Sequence, residues 1–136
     1  MREGHCQCGA VRYRVREPFA FVAHDHCGIC RRVAGAAFVT WGGVLDAAFE
    51  LVSGEGELTH YRSTPEGERQ FCRRCGSHLF FRSSRWPGQV HFTIATLADQ
   101  EGIAPQAHVY WSDRARWIDD LDLPKLGGAT GMDPVG

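Results

Sequence analysis

Residues 68–81 read Glu-Arg-Gln-Phe-Cys-Arg-Arg-Cys-Gly-Ser-His-Leu-Phe-Phe. Glu68–Phe71 leads into a cysteine turn and Leu79–Arg82 leads out of it, with Cys72 and Cys75 in a C-x-x-C spacing between them. Gly76 directly follows the second cysteine, where glycine lets the chain leave at positive φ. Short strands folded about a metal-bearing turn are the reading this stretch supports. Zinc takes four tetrahedral ligands, so one such turn supplies half a site and another pair has to meet it.

Working outward, the other four cysteines are paired too. Cys6 and Cys8 are one residue apart, and Cys27 and Cys30 form a second C-x-x-C. Three pairs cannot fill two four-cysteine sites. One site is therefore expected to be complete, and the other to use non-cysteine ligands or remain open. Spacing alone does not decide which pairs meet. The N-terminus, Met1-Arg2-Glu3-Gly4-His5, has no apolar run and no secretory signature. A reducing, cytoplasmic setting is expected, which disfavours disulfides, and a bridge across Cys6-x-Cys8 would close a small, strained ring. A thioredoxin-like dithiol would call for a βαβ pattern around the pair, and none is evident.

The flanking segments read as short strands. In residues 10–16, Val11, Tyr13 and Val15 alternate with Arg12, Arg14 and Arg16, the mark of a half-buried strand. Further strands are expected over residues 19–24, Ala37–Val44, Phe49–Val52, Leu58–Arg62, Val90–Leu97 and His108–Trp111, with a short helix over Arg31–Ala36. Sixteen glycines and six prolines suit turns and short strands. The 136 residues fit one mainly β domain over residues 1–126, with 127–136 expected as a disordered tail. Fifteen basic residues against sixteen acidic ones leave a net charge of −1, without the basic surplus of a nucleic-acid binder. No stretch approaches the roughly 20 apolar residues of a membrane span.

The chain resembles the glutathione-dependent formaldehyde-activating enzymes, whose domain also occurs in centromere protein V. The resemblance rests on His5-Cys6-Gln7-Cys8-Gly9-Ala10-Val11, His26-Cys27-Gly28-Ile29-Cys30-Arg31-Arg32, Gly35-Ala36-Ala37-Phe38, Phe71-Cys72-Arg73-Arg74-Cys75-Gly76-Ser77 and Leu79-Phe80-Phe81. It continues through Thr96-Leu97-Ala98-Asp99 and Trp117, Asp119, Asp120, Leu123 and Pro124. It implies a β-tent (Mss4-like) fold. It implies a structural zinc on Cys6, Cys8, Cys72 and Cys75, and a second zinc on a C-x-C-x-x-C element. Here that element has Asp25 in place of its first cysteine, followed by Cys27 and Cys30. Carboxylate oxygen also binds zinc, so Asp25, Cys27 and Cys30 would make a three-ligand site with an open position. Otherwise Asp25 is a solvated turn residue. His5, His24, His26 and His78 are read as supporting or surface residues, not ligands.

The resemblance implies carbon–sulfur lyase-type chemistry, S-(hydroxymethyl)glutathione synthase-like: glutathione and formaldehyde, or a related thiol and small aldehyde, joined with Cys27, Cys30 and Asp25 as the candidate catalytic group. Arg31 and Arg32 could pair with a glutathione carboxylate, and Arg73 and Arg74 flank the other site. Trp41 and Trp111 are pocket or core aromatics. Two further readings are a zinc-scaffolded interaction module without catalysis and a redox enzyme resembling methionine sulfoxide reductase B. The latter needs a free nucleophilic cysteine, whereas every cysteine here is paired.

Overall fold

Along β2 (Arg12–Val15), Tyr13 and Val15 are buried and Arg12 is exposed, as the alternation predicts. The computed structural model describes residues 1–119 and 122–135. Asp120, part of the resemblance, and Gly136, at the end of the expected tail, lie outside the described residues. β2 is the middle of a small antiparallel sheet between β1 (Arg2–His5) and β5 (Phe49–Ser53). The larger sheet has seven strands. They are β3 (Phe21–Asp25), β4 (Val39–Leu45), β6 (Leu58–Arg62), β7 (Gly67–Cys72), β8 (His78–Ser83), β9 (Gln89–Thr93) and β10 (Ala107–Val109). Their spatial order is β10-β3-β4-β9-β8-β7-β6; β10 runs parallel to β3, and every other pairing is antiparallel. The fold is a single, mostly β domain with one α-helix among the described residues, α1 (Gly28–Ala34).

The main core lies between the two sheets. Val11, Tyr13 and Val15 pack with Leu79, Phe80, Val90 and Phe92. The Tyr13 ring meets Phe80 edge-on at 4.9 Å, and its hydroxyl lies 2.6 Å from Thr96 Oγ1, so the polar end of a buried tyrosine is satisfied. A smaller cluster of Cys30, Val39 and Trp41, with Phe21, Cys27 and Phe81, adjoins α1. The large sheet thus covers a core on one face and supports the helix and a cavity on the other.

Several boundaries differ from expectation, each for a local reason. β1 carries no alternation signal, yet it pairs with β2, with Gly4 lying against the Tyr13 ring. The strand expected over 19–24 spans Phe21–Asp25. The helix expected over Arg31–Ala36 begins at Gly28, because the cysteine turn is itself its first turn: Arg31 N–H donates to Cys27 C=O at 2.9 Å. Gly35, at φ +62°, ends it. The strand expected over Val90–Leu97 stops at Thr93, since Thr96 turns its hydroxyl back onto the Thr93 carbonyl at 2.8 Å and Ile94–Thr96 forms a 3₁₀ turn. β10 ends at Val109 because Tyr110 adopts φ +54° and Trp111–Asp113 coils. At the start of the expected tail, β11 (Leu126–Gly127) straddles the 126/127 boundary and pairs with β12 (Asp133–Pro134).

Gly42 on β4 is where the core closes most tightly. A Cβ there would lie 2.6 Å from Phe92 Cζ and 2.9 Å from Ile94 Cδ1, both on buried side chains. Gly42→Ala is expected to lower unfolding stability by about 1–3 kcal/mol, read as a fall in the urea midpoint at unchanged m.

Candidate metal centres

Cys6 and Cys8 occupy the connection from β1 to β2, while Cys72 ends β7 and Cys75 lies in the connection from β7 to β8. The two turns are built alike. Gly9 N–H donates to Cys6 C=O at 3.0 Å, and Gly76 N–H to Cys72 C=O at 2.8 Å. Both glycines sit in the left-handed region, at φ +79° and +78°. Backbone amides face the sulfurs: Val11 N–H donates to Cys6 Sγ at 3.3 Å and Arg74 N–H to Cys72 Sγ at 3.4 Å. The turns are joined where Gln7 N–H donates to Ser77 Oγ at 3.0 Å. All four sulfurs lie within 4.8 Å of one another, with 3.6 Å between Cys6 and Cys8 and 3.8 Å between Cys8 and Cys72. Four thiolates at about 2.3 Å from a tetrahedral ion are about 3.8 Å apart, a spacing that these two separations match. The Ser77 hydroxyl, 3.3 Å from Cys75 Sγ, holds that thiol down at about 5, favouring the ligating thiolate.

The second set forms where β3 runs into α1. Cys27 is the N-cap of the helix and Cys30 lies in its first turn, positions whose side chains lie close together. Asp25, the last residue of β3, accepts the Cys27 N–H on Oδ1 at 2.9 Å. Its carboxylate and the two sulfurs lie within 4.8 Å of one another. Asp25 is half-buried, so it is a member of the donor set and not a freely solvated turn residue. Burial raises the Asp25 carboxyl pKa and pushes the Cys30 thiol up to about 12, with the Asp25 charge adding to the latter. Such donors are costly to ionise without a counter-charge, and a bound cation supplies one. Both sets can hold a metal ion.

The three-donor set opens onto a cavity of about 690 Å³, whose lining includes Asp25, Cys27, Cys30, Trp41, Arg69 and His91. The four-cysteine set does not line it. Trp41 is thus at once buried core and cavity wall. Sequence reading missed Arg69, His91 and Trp86. Arg69 sits opposite Phe81 in the β7–β8 register, its guanidinium carbon 4.9 Å from that ring's centre. The one available signal was a charged residue inside a strand. His91 packs against Phe21, Phe81 and Trp86. Burial draws His91 and His78 down to about 4, so both rings are neutral at pH 7.

The other singled-out residues fall elsewhere. His26 is fully buried, its Nε2 2.9 Å from His108 Nδ1 and its ring edge-on to Trp111. His24 Nδ1 lies 2.7 Å from Thr40 Oγ1, and His5 Nδ1 lies 2.8 Å from the Cys6 carbonyl. None of the histidines belongs to either donor set among the described residues. Arg31 donates to the carbonyls of Asp113 (2.8 Å) and His26 (3.3 Å), while Arg32 is exposed; both line an adjoining outer cleft of about 790 Å³ with Tyr61 and Trp117, which shares Cys27, Ile29 and Ser63 with the cavity. Arg73 and Arg74 both pair with Glu57, at 2.8 and 3.0 Å.

The two sets should release metal in a fixed order. Protons compete with metal for every ligating thiolate, so affinity falls as pH falls, and two thiolates with one carboxylate hold an ion by fewer donors than four thiolates do. On acidification, metal is expected to leave Asp25, Cys27 and Cys30 at a higher pH than it leaves the four cysteines. Metal retained after desalting across a pH series measures this in wild type and Cys27→Ala. Because the four cysteines join the two sheets, Cys72→Ala should be insoluble or unfolded by circular dichroism, whereas Cys27→Ala should keep its fold.

The family model for the glutathione-dependent formaldehyde-activating enzyme matches residues 1–113. A Halomonas elongata protein, provisionally named a glutathione-dependent formaldehyde-activating enzyme, is 34% identical over 124 residues, spanning 86% of this chain and 79% of that protein. A Rhodobacter sphaeroides protein of known crystal structure superposes with a TM-score of 0.63 at 26% identity, covering 78% of this chain and 97% of that one. The chain belongs to the glutathione-dependent formaldehyde-activating enzyme family.

Proposed function

We infer that the protein is a zinc-dependent carbon–sulfur lyase-type enzyme that joins a small thiol to a small aldehyde, with glutathione and formaldehyde as the pair its family points to. The observation that carries the reading is the contrast between two donor sets: four cysteines in a self-contained cluster, and only three ligands at the wall of a cavity. A three-ligand set that leaves a position free is the arrangement of catalytic zinc. Zinc held there would favour the thiolate form of a coordinated thiol and act as a Lewis acid.

The chain's own residues supply the rest. Asp25, Cys27 and Cys30 would hold the ion, and Cys6, Cys8, Cys72 and Cys75 would hold a structural one. Trp41, Phe81 and Trp86 give the cavity apolar walls that limit water. His91, neutral at pH 7, offers a ring there without adding charge. Arg32, exposed beside the outer cleft, is the freer of the two arginines for a glutathione carboxylate, since Arg31 is engaged by backbone carbonyls. The reaction balances as an addition: the carbon–sulfur bond forms, and the thiol proton ends on the aldehyde oxygen as the hydroxyl of S-hydroxymethylglutathione. Six free cysteines suit a reducing, cytoplasmic setting. No helix among the described residues is long and apolar enough to cross a membrane.

The test is exchange NMR on glutathione and carbon-13 formaldehyde. Wild-type protein should speed exchange between free and adduct carbon, and Cys27→Ala should return it to the uncatalysed rate while still binding metal at the four cysteines. Elemental analysis should give about two zinc ions per wild-type chain and about one in Cys27→Ala. Exchange no faster with wild type than with buffer would leave the domain as a zinc-scaffolded binding module.

A further inference from the structure

Arg69 is only 3% exposed, and among the described residues it makes no ion pair with a carboxylate. Its Nε donates to Ser63 Oγ at 3.1 Å and its Nη2 to Cys30 Sγ at 3.4 Å, while Nη1 is buried with no hydrogen-bond partner. A buried, always-charged guanidinium needs a counter-charge. It lies against the donor set that Cys30 shares with Asp25 and Cys27.

The charges make its purpose specific. Asp25, Cys27 and Cys30, all ionised around a divalent cation, leave one negative charge uncancelled, and Arg69 cancels it. An anionic fourth ligand would otherwise join a set already negative. With Arg69 in place it joins a neutral one. The guanidinium fork is rigid and planar. With Nη2 on Cys30 Sγ, the adjacent Nη1 is an unpartnered donor beside that sulfur, on a residue that lines the cavity.

We propose that Arg69 is a specificity residue that selects an anionic sulfur as the fourth ligand: Nη2 steadies Cys30, and Nη1 receives the incoming thiolate of the substrate. This rests on the reading of Asp25, Cys27 and Cys30 as a three-ligand metal site. The cavity therefore prefers thiolates to neutral ligands of similar size, whatever the remainder of the thiol.

Folded protein loaded with cobalt(II) is titrated with 2-mercaptoethanol and, separately, with imidazole, each followed by visible absorption. Wild type should bind the thiol with growth of a sulfur-to-cobalt charge-transfer band. Arg69→Met should bind it about tenfold or more weakly, with imidazole affinity within about twofold of wild type. Arg69→Lys, which keeps the charge and gives up the fork, should fall between them. Equal loss of both ligands, loss of neither, or a wild type with no thiol band each overturns the assignment. If Arg69→Met does not retain cobalt, Arg69→Lys decides by the same ratio. Because the probe is not glutathione, thiol selection without acceleration of the formaldehyde exchange would sink the substrate reading and leave Arg69 standing. Acceleration with an unchanged thiol-to-imidazole ratio in the variants would do the reverse.

Discussion

The structure depends on the meeting of Cys6 and Cys8 with Cys72 and Cys75. The first pair belongs to the small sheet and the second to the large one, so the sulfur cluster closes one end of the sandwich. Four thiolates this close repel one another unless a cation sits among them, which couples metal binding to the pairing of the sheets. The glycine after each turn, the amides aimed at sulfur and the Ser77 bridge all serve that junction. The core of Tyr13, Phe80 and Phe92 then fills the space the cluster closes.

β7 connects this scaffold to the candidate chemistry. It ends in Cys72 at the four-cysteine cluster and carries Arg69 three positions earlier, at the wall of the cavity. A register shift between Gln70 and Phe71 interrupts the simple two-residue alternation between them. A rigid strand therefore spans the two donor sets, and any loosening of the first would displace the guanidinium that neutralises the second. β9 shows the same division of labour across the sheet: Val90 and Phe92 face the core, and His91 faces the cavity. Every described β9 residue after Gln89 is buried, because both faces of the central strand are covered.

Legibility in the sequence followed how local each feature is. Tyr13 and Val15 were readable because a half-buried strand alternates with period two. The cysteine pairs were readable because metal-binding turns are short and punctuated by glycine. β1 escaped notice because a four-residue strand with a glycine against Tyr13 has no alternation to see. Helix α1 was displaced by three residues because Cys27 serves both as cap and as donor. Arg69 gave only the signal of a charge inside a strand, and nothing within that strand separates a buried arginine from a solvated one.

The sequence by itself determined a mainly β chain with metal-donor turns, and its family motifs named the donors, including Asp25 in a position otherwise held by cysteine. Periodicity and turn chemistry act over a few residues, and that is enough to specify such elements. Only the tertiary structure decided that Asp25 faces the same point as Cys27 and Cys30, that the three line a cavity, and that the Arg69 guanidinium lies against Cys30. Those relations join β3 and α1 to β7, with Cys30 and Arg69 lying 39 residues apart in sequence. They are set by sheet order and by the need of a buried charge for a partner, neither of which is written in any one segment.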